Sequence, residues 1–272
     1  MTTVVVADRD PVAADRAAAA GRDPTIPAGA DPGPTDQIPV DRSSADASAY
    51  PQRVIVVIGS PIGRLREDVL AAGGTASRVA LTSARLGRKV QLVGKTGDDA
   101  TADAVVLDLA RGGVGHVALL RDAGRETPHE SFEDDSVAED GEDDLGSAGT
   151  PDPNASPRPA LEAADVELGL RYLTDFAVVV LAEPADPETV AVVADAARWS
   201  EARMILVVEA GSSAADGLPS DVSVFEAPEH DPDGVFAELI GGFAAALDEG
   251  TEPGAAFRSS IASDGWTEPG GA

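Results

Sequence analysis

Gly94-Lys95-Thr96 follows an apolar run and precedes a helical pattern, the order in which a phosphate-binding loop sets its lysine. That loop needs another glycine five positions before the one preceding the lysine, so that several backbone amides can wrap the phosphates. Lys89 holds that position, which removes the reading. Gly59-Ser60-Pro61-Ile62-Gly63 ends a second apolar run and suggests a dinucleotide-binding turn. Its fingerprint requires glycine at the third and sixth places, where this chain has Pro61 and Arg64. His116, His129 and His230 share no metal-ligand spacing, and the chain has no cysteine. Disulfides, thiolate zinc sites and cysteine nucleophiles are therefore excluded together. A serine hydrolase lacks its Gly-x-Ser-x-Gly elbow.

The charge is strongly one-sided. Asp and Glu number 48 against 20 Lys and Arg, a net of −28, and only Lys89 and Lys95 are lysines. Such a surface repels phosphate backbones, so nucleic acid is excluded as a partner. Self-repulsion of this size is tolerated best where salt screens it within a few ångströms. The composition thus predicts a halophilic, acidic protein whose fold depends on molar salt. No apolar run approaches membrane-spanning length, and the start, MTTVVVADRD, has neither the basic nor the apolar region of a signal peptide. A cytoplasmic location is expected.

The elements that would position any chemistry begin at Val54. Val54–Ile58 is a continuous β-branched run, the mark of a strand buried on both faces. A helix over Gly74–Leu86 follows, with Val79, Ala80, Ser83 and Leu86 inward and Gly87 as its stop. A strand at Val90–Val93, a helix at Asp99–Ala110 with Val105, Val106 and Leu109 inward, and a strand at His116–Leu120 continue the pattern. It resumes with strands at Phe176–Leu181, Met204–Val208 and Val222–Phe225, and with helices at Pro187–Trp199, Gly234–Glu249 and Pro253–Ala262. Strands alternating with helices predict right-handed crossovers and a mostly parallel sheet covered on both sides, an α/β fold. Residues 1–52, with seven prolines, are predicted to be a disordered Pro/Asp-rich tail. An acidic insert over 126–160 is also predicted to be disordered: residues 126–158 alone carry eleven acidic side chains against one arginine. The domain then spans 53–266, with a short tail at 267–272.

Several short pieces fall in one order: Val54–Ile58 with Gly59-Ser60, Gly73-Gly74 opening a helix, Ala84-Arg85-Leu86-Gly87, Val93-Gly94-Lys95-Thr96-Gly97-Asp98-Asp99, Leu109, and Gly113-Val114. Together they resemble the N-terminal half of the ribokinase-like (PfkB-type) carbohydrate kinases. Farther on, Asp231-Pro232-Asp233-Gly234-Val235-Phe236-Ala237-Glu238-Leu239 and the helix through Gly242 to Gly250 are similar to the family's Asp-Thr-Thr-Gly-Ala-Gly-Asp signature and the helix after it. The likeness covers about 53–125 and 165–265. It implies a three-layer α/β/α fold, ATP and Mg2+ if the protein is active, and phosphoryl transfer to a sugar hydroxyl. It places Gly73 and Gly74 against the sugar and Gly234 against the phosphates.

The likeness also locates departures. Where the family has its catalytic base this chain has Ala237, and where it has the preceding glycine this chain has Phe236. Losing a general base costs roughly 10²–10⁴-fold in rate. The counterparts of the sugar-binding Asp and Asn are Arg64 and Arg78, which favour an anionic ligand. Only eight residues separate Arg64 from Gly73, so the strands of the family's lid are expected to be absent. Two readings follow. One is a non-catalytic or strongly impaired relative that binds a small anionic metabolite or a protein. The other is an active kinase in which Asp233 or Asp231 supplies the base.

Overall fold

A computed structural model describes residues 53–66, 69–131, 159–173, 175–212, 218–231 and 233–263. The tails at 1–52 and 267–272 and most of the acidic insert lie outside the described residues. Chain order runs β1 (Val54–Ile58), β2 (Ile62–Arg66), β3 (Val69–Gly73), α1 (Gly74–Arg85), β4 (Val90–Gly97), α2 (Ala100–Arg111), β5 (Val114–Asp122) and β6 (His129–Ser131). It continues with α3 (Ala163–Arg171), β7 (Phe176–Leu181), α4 (Pro187–Ser200), β8 (Arg203–Val208), β9 (Ser223–Glu226), α5 (Val235–Asp248) and α6 (Pro253–Ser263). The main sheet has the order β5-β4-β1-β7-β8-β9, and every neighbouring pair is parallel.

The β-branched run of β1 explains its central place. Ile55 and Val57 point into one core with α1, α2, α5 and α6, while Val56 and Ile58 point into the other with α3 and α4. Period-two alternation thus buries both faces, and the three-layer arrangement expected from the sequence is present. The first core holds a cluster in which Phe225 of β9 meets Phe243 of α5 edge-on at 5.2 Å and Phe257 of α6 lies 6.0 Å from Phe225. Pro187 opens α4 behind Asp186, whose carboxylate accepts from the amides of Glu188 and Thr189, both at 2.9 Å.

Three details differ from the sequence reading. Leu86 is not inward: it caps α1 and is 53% exposed, because the left-handed turn at Gly87 carries the chain outward. The helix α3 had no counterpart in the reading, because its short apolar stripe follows directly on the acidic run.

The largest difference concerns the lid. A second sheet, β3-β2-β6, is present, so the expectation that lid strands are missing is overturned. Arg64 itself lies inside a strand of that sheet. The hairpin starts at Ile62 and pairs antiparallel through to Gly73, and its third strand comes from beyond β5, parallel to β2. His129–Ser131 therefore belongs to ordered structure rather than to the insert assigned from 126.

Asp99, the last residue of the Gly97-Asp98-Asp99 turn, ties this small sheet to the large one. Its carboxylate caps α2 by accepting from Ala102 N (2.8 Å) and also accepts from Thr127 N (2.6 Å), while the Thr127 hydroxyl accepts from Gly97 N (3.0 Å). Burial pushes the Asp99 carboxyl upward, but the amides of Thr127 and Ala102 outweigh it and hold the group below its ordinary value of 3.8. The acid of the motif is a fastener for the loop that delivers β6.

Candidate functional site

A cavity of about 200 Å³ opens where β7, β8 and β9 end, beside the first turns of α1 and α5. Crevices at the carboxyl ends of parallel strands are where open α/β sheets bind ligands. From α1 come Gly74, Thr75 and Arg78; from the end of β7 come Ala182 and Glu183; from β6 comes Glu130; and Glu229, Asp231 and Phe236 close the α5 side.

Gly73 and Gly74 serve different purposes. A side chain at Gly73 would run into Cβ of Arg64 at 2.8 Å, so its missing Cβ lets the small sheet close on α1 rather than admitting a ligand. Gly74 has φ +78 and lines the cavity. Neither a capping side chain nor an acid is present in the first turn of α1, so its terminal amides are left to whatever enters.

Arg64 and Arg78 part company. Arg64 is 8% exposed within β2, in register with Glu130 of β6, and does not line the cavity. Arg78 reaches across it. Its Nη1 donates to the carbonyl of Asp231 (3.4 Å), and its guanidinium lies directly over Gly234. Gly234 has φ +79, and a Cβ there would collide with Arg78 Nη1; the left-handed turn and the close guanidinium both require glycine.

The α5 turn arranges the acidic candidates unequally. Asp233 is exposed and is not among the lining residues. Asp231 is partly buried, and its two carboxylate oxygens accept from the amides of Phe236 (3.1 Å) and Ala237 (3.2 Å). Phe236 faces the cavity, whereas Ala237 is fully buried in the core shared by α1, α5 and β1. The helix start that the resemblance assigns to a phosphate thus already holds an anion from its own chain.

Glu183 is the site residue the sequence reading missed. Ser60 N, at the end of β1, donates to its Oε1 at 2.7 Å. Burial raises its carboxyl above the ordinary value of 4.5, and the Ser60 amide offsets only part of that. The signal was available: an acid two residues past the buried run of β7, at a carboxyl strand end. The raised value has a consequence for stability. The native state holds this proton to higher pH than the unfolded chain, so the contribution of Glu183 to stability is fully present below about 4.5 and is lost as pH rises through the native value. Glu183→Gln keeps the acceptor for Ser60 N and removes the ionisation. Its thermal midpoint is expected to exceed that of the parent at neutral pH, with the gap closing on acidification below 4.5; melting curves across that range check this.

Among the described residues that line the cavity, Arg78 is the single cation, against Glu130, Glu183, Glu229 and Asp231. The anionic ligand expected from two arginines therefore meets one arginine among four carboxylates. Among the described residues, no group of three or more His, Cys, Asp or Glu is placed to hold a metal ion, and no helix is long and apolar enough to cross a membrane.

No family model matches the sequence, and no curated protein matches it. Solved structures do match in fold. A ribokinase of Arabidopsis thaliana complexed with ribose and ATP is 15% identical, with a TM-score of 0.52 over 77% of this chain and 90% of that one. A putative ribokinase II of E. coli in complex with ATP and Mg2+ is 13% identical, with a TM-score of 0.51 over 76% of this chain and 90% of that one. The aminoimidazole riboside kinase of Salmonella enterica is 15% identical, with a TM-score of 0.50 over 77% of this chain and 90% of that one. The parallel six-stranded sheet, its two helical layers and the small second sheet give this chain the ribokinase-like α/β fold.

Proposed function

We propose that this chain is a non-catalytic or strongly impaired relative of the ribokinase-type kinases that uses the retained cleft to bind a small molecule or a protein segment. The observation that carries this is the Asp231 carboxylate on the amides of Phe236 and Ala237. Those amides lie where such a kinase gathers the charge that develops on the transferred phosphoryl group. A tethered carboxylate there repels a phosphate and removes its donors. The residues at this helix start therefore do not fit the γ-phosphate of ATP, and no transfer step is derived through it. With one guanidinium among four carboxylates, the cavity favours a neutral polyhydroxy or cationic ligand over an anionic one. Glu183, Thr75 and the terminal amides of α1 supply acceptors and donors for hydroxyl groups.

A second reading has one observation in its favour. Asp231 lines the cavity, so it could act as a general base in an ATP- and Mg2+-dependent kinase if it left the amides. Asp233 has less support, being exposed and outside the lining.

One experiment separates the two. Purified full-length protein in molar KCl, with Mg-ATP and a panel of pentoses and hexoses, is expected to consume no ATP above background. Calorimetry on the same panel is expected to find a ligand whose binding Glu183→Ala weakens roughly ten- to a hundredfold, the worth of a hydrogen bond to a charged group. Sugar-dependent turnover that Asp231→Asn abolishes would establish the kinase reading instead. The net charge of −28 supports a high-salt setting, and a fold indifferent to KCl concentration would count against it.

A further inference from the structure

We infer that Trp266 folds back from the end of α6 and seats its indole in a groove between α1, α5 and α6 of its own chain. The groove has a volume of about 320 Å³ and lies between Thr82 and Leu86 of α1, Gly242 and Ala246 of α5, and Ser259 and Ser260 of α6. It shares no lining residue with the cleft. Close packing beneath the groove creates it. α1 and α5 cross at Gly241, where an added Cβ would stand 2.7 Å from that of Thr82, and the Ser83 hydroxyl donates to the Gly241 carbonyl at 3.0 Å. The next residue, Gly242, has no side chain, and one turn on Ala246 has only a methyl, so α5 leaves the space above the crossing unfilled. Leu86 lines the same space and is 53% exposed.

Connectivity selects the occupant. The described part of α6 ends at Ser263, less than one turn past Ser260 of the groove. Trp266 follows three residues later, within roughly 10 Å of extended chain, and Gly265 before it lets the backbone reverse. Over residues 264–272 it is the only aromatic and the only large apolar side chain. A tether this short sets an effective concentration on the order of millimolar, so a shallow groove that would hold a free partner weakly holds its own chain. A segment arriving from a second copy would meet the repulsion between two chains of net charge −28, and one already attached does not. The charged side chains of the groove, Arg85 and Glu238, are already paired at 3.5 Å. What remains is Leu86, Ala246 and the bare backbone at Gly242, a surface suited to a flat aromatic ring.

The test uses the full chain in molar KCl carrying Trp199→Phe, a change at an 89% exposed position, so that Trp266 is the one tryptophan that reports. Its emission should lie to the blue of the same chain unfolded in urea. Acrylamide should quench it less than in the unfolded chain, and equally at low and high protein concentration. Gly242→Gln then fills the groove. An added Cβ there meets nothing nearer than Ser260 Oγ at 3.6 Å, and replacing a glycine inside a helix favours the helix. This variant should keep a cooperative melt, yet its Trp266 emission should move to the red and its quenching should rise to that of the unfolded chain. Trp266 emission that already matches the unfolded chain before the groove is filled would overturn the proposal. So would blue emission that Gly242→Gln leaves unchanged, or that appears only as protein concentration rises, since the indole would then sit elsewhere or in a second copy.

Discussion

Ala237→Asp is expected to destabilise the fold by at least about 3 kcal/mol and to gain no phosphoryl transfer. Restoring the family's carboxylate by alignment is the obvious repair, yet position 237 is fully buried among Val79, Ile240 and Ala244 in the core beneath α5. A carboxylate there would be set among apolar side chains. Its own amide already donates to Asp231 at 3.2 Å. The group would either ionise at a large desolvation cost or remain protonated through neutral pH. Urea unfolding of parent and variant in the same KCl concentration measures the loss, and ATP consumption with the sugar panel measures the chemistry. A stable variant with new activity would mean that α5 turns its third residue toward the cleft in solution.

Phe243→Ala is expected to cost about 3–5 kcal/mol, the range for emptying a well-packed aromatic site. Phe243 is 1% exposed and touches Phe225 of β9 at 5.2 Å and Phe257 of α6 at 6.5 Å between ring centres. Because it joins the last strand to the last two helices, the cavity left behind loosens the side of the site that carries Asp231 and Phe236. The unfolding midpoint should fall at constant slope with denaturant. A lower slope would show instead that α6 detaches first.

The candidate site was legible in the sequence as far as residue type and neighbourhood reach. Gly74, Arg78, Asp231 and Gly234 were singled out by alignment to a motif, and all four meet around the α5 turn. Arg64 was singled out on the same grounds and lies outside the cavity, because its strand turns it into the small sheet against Gly73. Glu183 is marked locally only as an acid two residues past the buried run of β7. Its importance comes from β1, more than a hundred residues earlier, which brings the Ser60 amide to within 2.7 Å of it.

The sequence by itself determined the layered fold, since an unbroken β-branched run such as Val54–Ile58 can be satisfied only by burial on both faces. It also determined that position 237 carries no base, since alanine cannot accept a proton whatever its surroundings. Only the tertiary structure decided the rest. Whether a lid exists depended on where a hairpin begins and on a third strand arriving from beyond β5. Whether the helix start of α5 is open depended on which way the Asp231 carboxylate points. Both are outcomes of pairing between distant segments, and a local pattern of residue types holds no information about the direction from which a partner comes.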